Sequence, residues 1–303
     1  MGRLSVLGVP SSAGSYAAGQ DMAPAAMRDA GLIRLLAGAG IDVADEGDLP
    51  RQVWRPDRDH PLAQNAAEVA SCLAELTHRV RPLIFAGDDV LVLGGNCTIA
   101  LAVMAALQDA DIGRSGLLYL DRHFDLNTPS TTTDGALDWM GMAHALSLPG
   151  CVETVINAFD RRPLLEPDQI AWVGVQADLA TQGERDQAAR LGVNVVSSDE
   201  LAASPAKVVG RALASLPSGH LAVHVDVDVL DFTDAPLAES TDGRNTGPKL
   251  EQLATALTTA VGDPRWRVVS IGELNPTRSA GDPTAIPRFL TVLVAALSAT
   301  GSA

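Results

Sequence analysis

Two short segments concentrate the side chains that can do chemistry: Asp121-Arg122-His123-Phe124-Asp125 and His224-Val225-Asp226-Val227-Asp228-Val229-Leu230-Asp231. In each, ionisable residues fall on every second position. An extended backbone therefore sends Asp121, His123 and Asp125 to one side, and His224, Asp226 and Asp228 likewise. Carboxylates gathered around an imidazole repel one another unless a cation neutralises them. Mixed oxygen and nitrogen donors suit Mn²⁺ or a similar divalent ion. Solvated aspartates capping a turn would produce the first pattern as well. The second is harder to read that way, because Val225, Val227 and Val229 are β-branched residues of a packed strand, and carboxylates buried there need partners. A metal shared by the two segments would supply them.

Two further segments stand beside these. Gly94-Gly95-Asn96-Cys97 follows an apolar run; the glycines permit close backbone approach and Asn96 suits a helix cap. Cys97 reads either as a soft metal ligand or as a buried thiol. Glu273 ends the apolar run of Ser270-Ile271-Gly272-Glu273-Leu274-Asn275-Pro276.

The elements that must position these groups alternate. Residues 4–9, 41–44, 90–93, 117–120, 170–175, 193–196, 221–227 and 268–271 read as strands. Residues 25–36, 62–80, 99–107, 140–148, 206–216, 250–261 and 286–297 read as helices. Such alternation implies βαβ units, so the expected fold is a three-layer α/β arrangement with a mostly parallel sheet between helices. The polar stretch 47–59 reads as a surface loop, and residues 1–303 as a single domain. In such sheets ligands bind beyond the C-terminal strand ends, where all four segments fall.

Composition narrows the partners. A formal net charge of -15 repels nucleic acid and anionic membranes and favours metal ions or a cationic small molecule. The 3 cysteines, Cys72, Cys97 and Cys151, are odd in number and widely spaced, which argues against a disulfide framework and fits a reducing cytoplasm. The opening MGRLSVLGVP reads as a strand and not as a signal peptide, and no apolar run is long enough to span a bilayer.

Over nearly the whole chain, and in order, these segments resemble the arginase and agmatinase (ureohydrolase) family. Gly14, Gly19, Pro24, Arg28 and Gly31, followed by Asp45-Glu46-Gly47-Asp48, are similar to the family's opening. Asp121 to Asp125 resembles its Asp-Ala-His-x-Asp motif, with Asn127-Thr128-Pro129 and Thr131-Thr132-Thr133 at the arginase spacing. His224 to Asp231 resembles Ser-Phe-Asp-Val-Asp-x-x-Asp, and Glu273-Leu274-Asn275-Pro276 resembles Glu-Val-Asn-Pro. The resemblance implies an arginase-like fold, a homo-oligomer (trimer or hexamer), and Mn²⁺, one or two ions. In the family two ions share a hydroxide that attacks a guanidinium carbon. By the same resemblance Asp121 and Asp226 bridge the metals, Asp125 completes one site, and His123 and Asp228 complete the other. Glu273 pairs with the guanidinium, and Asn127 reads a substrate carboxylate.

The departures bear on function. The family's Gly-Gly-Asp-His is replaced by Gly94-Gly95-Asn96-Cys97, which puts Cys97 in a ligand's place. His224 stands where a small hydroxyl residue is usual; it reads as a substitute ligand or, more readily, as a strand neighbour that holds an aspartate by a hydrogen bond. Asp138-Trp139 occupies the place of a proton-shuttling His-Gly, and Asp138 can serve there only with a raised pKa. Asp134 replaces a serine that reads the amino acid's α-groups, and residues 174–184 lack the family's acidic segment for the α-amino group. The expected activity is therefore hydrolysis of a linear C–N bond in a guanidino compound, arginine or N-hydroxyarginine among them. The alternatives are a formimino or formamide hydrolase and a catalytically silent binding protein.

Overall fold

The computed structural model describes residues 2–110, 114–132 and 134–299; Thr133, the last of the threonine run, lies outside them. Eight strands form one sheet: β1 (Leu4–Gly8), β2 (Val43–Asp48), β3 (Asp89–Leu93), β4 (Gly116–Leu120), β5 (Ile170–Val175), β6 (Asn194–Ser197), β7 (Leu221–Asp226) and β8 (Trp266–Gly272). Their order is β2-β1-β3-β8-β7-β4-β5-β6, and every neighbouring pair is parallel. The inner strands are near-continuous apolar runs because both faces are covered. Leu91 and Leu93 join one core, under the helices Pro205–Ser215, Leu250–Val261 and Ala285–Ala299. Val90 and Val92 join the other, under Ala66–Phe85 and Ile99–Ala110. The expected three-layer α/β architecture is what this sheet and its two helical layers make.

Three local expectations need correction. The single helix expected over 25–36 is two, Ala23–Asp29 and Leu32–Gly38, broken at Gly31 with φ 95°, a left-handed conformation that suits glycine. The strand expected over 41–44 is Val43–Asp48 and takes in the acidic run. It is an edge strand paired with β1 alone, so its polar side chains keep access to water. The helix Gln182–Leu191 was not expected at all, since it buries only Glu184 and Ala188 and shows little apolar periodicity. Its Thr181-x-x-Glu184 capping box was the available signal.

Register sets the site. Leu93 pairs with Ile271, Gly272 with Asp226, and Leu120 with Val225. The C-terminal ends of β3, β8, β7 and β4 therefore lie abreast, and the four chemistry-bearing segments leave from one edge of the sheet. Among the described residues no helix is long and apolar enough to cross a membrane.

Candidate metal centre

Both aspartate motifs leave their strands and turn at once, so the alternation expected of an extended chain does not continue through them. Asp121 follows β4 directly, and its Oδ1 accepts the His123 amide at 2.6 Å. Asp226 ends β7, and its Oδ1 accepts the Asp228 amide at 2.7 Å, opening a 3₁₀ turn over Val227–Val229. The two turns share one construction, in which the first carboxylate holds the amide two residues on and curls the next ionisable side chain back over the strand end. Asp125 takes φ 52°, an αL conformation that aspartate tolerates better than most residues.

The convergence is tight. Cys97, Asp121 and Asp226 each offer a donor atom within 4.8 Å of the others, and so do Asp121, His123 and Asp125. Asp121 belongs to both groups. Asp228 joins through His123, whose Nδ1 lies 3.0 Å from Asp228 Oδ2 and 3.5 Å from Asp121 Oδ1. The thiol of Cys97 donates to Asp226 Oδ2 at 2.7 Å. Asp121 Oδ2, His123 Nε2 and Asp228 Oδ1 are buried without any hydrogen-bond partner.

His224 does not hold an aspartate, as the sequence suggested. It points into the same cluster and contacts Cys97 Sγ through Nε2 at 3.2 Å and Ser270 Oγ through Nδ1 at 2.8 Å. Its ring stacks on Tyr119 at 5.0 Å. Two strand positions before Asp121, Tyr119 donates its hydroxyl to Asp125 Oδ2 at 2.5 Å; the same alternation that marked Asp121 would have marked Tyr119.

Without a cation, electrostatics in this cluster are adverse. Burial, then the neighbouring carboxylates, push Asp125 and Asp226 well above the ordinary carboxylate range. Burial and the same charges hold the Cys97 thiol protonated. Burial would lower His123, but Asp228 and Asp121 outweigh it and keep the imidazole protonated well above its usual value. Asp228 alone is held low: burial opposes this, and the charges of His123 and Arg122 overcome it. A proton on His123 thus sits between Asp228 and Asp121. Burial pulls His224 down to about 3, so it stays neutral.

A narrow cleft opens over the cluster, lined by Cys97, His123, Asp125, Asp226 and Asp228 and walled by Tyr16, Asp138, Trp139, Ser240 and Glu273. Glu273 has φ 65°; its Oε1 accepts the Cys97 amide at 2.9 Å and its Oε2 accepts from the Gln20 side chain. Burial, with Asp134 second, lifts Asp138 to about 8. Of the other expected substrate contacts, neither reaches the cleft lining. Asp134 is exposed. Asn127 is buried, and its Oδ1 is taken by Thr131 at 2.9 Å and Thr181 at 2.8 Å. Tyr16, Gln20 and Ser240 were missed; each lies far in sequence from the motifs, and no spacing connects them.

A family model described as the arginase family matches residues 3–295. The chain belongs to the arginase family. The arginase of Brevibacillus brevis is 32% identical over 240 residues, which is 77% of this chain and 78% of that protein. The native arginase structure from Bacillus caldovelox superposes with a TM-score of 0.85 at 24% identity, over 100% of this chain and 99% of that one. A formiminoglutamase from Trypanosoma cruzi, solved with Mn²⁺, gives 0.75 at 15% identity, over 99% and 94%. These two likenesses show the fold. In this arginase-family chain, the cluster at the ends of β3, β4 and β7 holds acidic, thiol and imidazole groups that could hold metal.

Proposed function

We propose that this arginase-family protein uses Mn²⁺ to hydrolyse a linear C–N bond in a guanidino compound. The observation that carries the reading is the set of partnerless buried donors, Asp121 Oδ2, His123 Nε2 and Asp228 Oδ1, inside a cluster of like charges. Leaving such groups unpaired is costly, and a divalent cation is the partner their chemistry fits. Cys97, Asp121, His123, Asp125, Asp226 and Asp228 would hold the metal. When bound, divalent cations lower the pKa of a water and fix its position for attack on carbon.

The rest of the work falls to the chain. The acidic lining draws a cationic head group into the cleft. Glu273 is oriented by the Cys97 amide and Gln20, and each of its oxygens keeps a lone pair for a planar N–H donor. Asp138 holds a proton at neutral pH and stands where it can pass one to a departing amine. With Asn127 and Asp134 outside the cleft lining, recognition rests on the head group more than on α-amino and carboxylate groups.

The test is a panel of guanidino and formimino compounds given to chelator-stripped protein with and without Mn²⁺, reading urea and ammonia. Release from a guanidino compound only with metal supports the reading; equal rates without metal would falsify it. Asp138 adds a pH signature. A carboxyl with a pKa near 8 is protonated below that value, so turnover that needs its proton declines as pH rises through about 8. Asp138→Asn should lower kcat by about 10²–10⁴-fold and lose that decline. A variant profile that keeps the same alkaline limb removes Asp138 from the proton step.

A further inference from the structure

We propose that Arg122 is a positioning residue that ties the cleft wall at 239–247 to both aspartate turns, and that metal affinity depends on this tie; the proposal rests on the metal-centre reading above. Arg122 is 1% exposed, yet all its hydrogen bonds go to neutral acceptors. Nε donates to the Asp228 carbonyl at 2.8 Å, and Nη2 to those of Leu230 at 2.8 Å and Thr246 at 3.0 Å. Nη1 donates to Gln176 Oε1 at 2.6 Å, the Gly243 carbonyl at 2.9 Å and Thr246 Oγ1 at 2.9 Å. These bonds occupy the whole donor fork of the guanidinium.

A buried cation with no carboxylate in hydrogen-bond contact is normally unfavourable. Here it lies beside a carboxylate-rich cluster, where its charge helps keep Asp228 ionised, and its backbone is part of the first turn, between Asp121 and His123. Its side chain holds the second turn by the carbonyls of Asp228 and Leu230. Its outer nitrogens hold the 243–246 stretch, where Arg244, Asn245 and Thr246 are exposed and apolar packing offers little restraint. The other end of the wall is fixed separately. Glu239 donates its amide to the Glu273 carbonyl at 3.0 Å, and Asn275 donates to the Leu237 carbonyl at 2.8 Å. Ser240, which faces the cleft, hangs between the two anchors.

The backbone is shaped for this clamp. Gly243 has φ 60°, and a Cβ there would fall 2.0 Å from Arg122 Nη1. Gly247 has φ 103°, and a Cβ there would meet the Val229 carbonyl at 2.6 Å and Arg122 Nη2 at 3.2 Å. Glycine at both places lets the wall close on the guanidinium. Groups that orient ligands from behind commonly change metal affinity by about 10–100-fold when removed.

The experiment compares wild type, Arg122→Met and Gly243→Ala after chelation. Mn²⁺ is titrated by calorimetry, and amide exchange is followed over 239–247. Gly243→Ala breaks the tie from the wall side, so it leaves a test in hand if Arg122→Met does not fold. Both folded variants should bind Mn²⁺ about 10–100-fold more weakly and exchange faster over 239–247. Wild-type affinity in either folded variant, or unchanged exchange in both, overturns the proposal. If wild type takes up no Mn²⁺, the metal reading fails and the tie with it; normal wild-type uptake with unaltered variants sinks the tie alone.

Discussion

Asp226→Ala is expected to lower Mn²⁺-supported turnover by roughly 10²–10⁴-fold. Asp226 works at both its oxygens: Oδ1 holds the amide of Asp228 at 2.7 Å and Oδ2 faces Cys97 Sγ at 2.7 Å. Alanine removes a metal donor, frees the turn that aims Asp228, and leaves the Cys97 thiol without its acceptor. Metal-supplied stabilisation of transition-state charge is worth several kcal/mol, and each 1.4 kcal/mol or so is about tenfold in rate. Asp226→Asn is the informative control, since its side-chain oxygen can still hold the Asp228 amide while the charge is gone. Metal content and turnover of both variants, with a thermal melt to show they are folded, decide the matter. Near-wild-type turnover in Asp226→Ala would show that the proposed centre does not need this carboxylate and end the mechanism.

Cys97 and His224 should prove to be coupled. Cys97 Sγ is 3.2 Å from His224 Nε2, and a Cβ built at Gly272 would come within 2.9 Å of that sulfur. An imidazole at 97 has no room while His224 keeps its place. Overpacking of this kind costs about 1–3 kcal/mol, so Cys97→His alone should melt lower and gain little Mn²⁺ affinity. Adding His224→Ser frees the space that the second imidazole fills. The double variant should then recover stability and bind Mn²⁺ more tightly than wild type, because a nitrogen donor suits Mn²⁺ better than sulfur. Four titrations, of wild type, each single variant and the double, measure the coupling. Four coincident curves would reduce Cys97 to a buried thiol beside the centre.

The expected helices over 250–261 and 99–107 stand close to where their apolar periodicity put them, as Leu250–Val261 and Ile99–Ala110, because both bury a broad face. Gln182–Leu191 escaped because its order comes from a capping box and from Glu184, whose carboxylate holds the amide of Leu126 at 3.2 Å. That contact joins residues 58 apart and leaves no local pattern. His224 was placed beside the right cluster but given the wrong partner. Alternation fixes the face of a strand on which a side chain lies, whereas the choice between Asp226 and Cys97 is made by the segment after β3, which lies beyond β8 in the sheet.

The sequence by itself determined the kind of chemistry. Two Asp-rich segments, a Gly-Gly-x-Cys segment and a late glutamate, each directly after an apolar run, carry that information in residue type and short spacing, and both survive without knowledge of the fold. The tertiary structure alone decided that these segments meet. Strands third, eighth, seventh and fourth in the chain become neighbours in the sheet, and their register brings their ends level. It also decided that Asn127 lies outside the cleft lining, that Asp134 stays in solvent, that Gln20 holds Glu273 and that Ser240 lines the cleft. These outcomes depend on which distant backbone lies within a few ångströms, a quantity set by strand order and packing and written in no local run of residues.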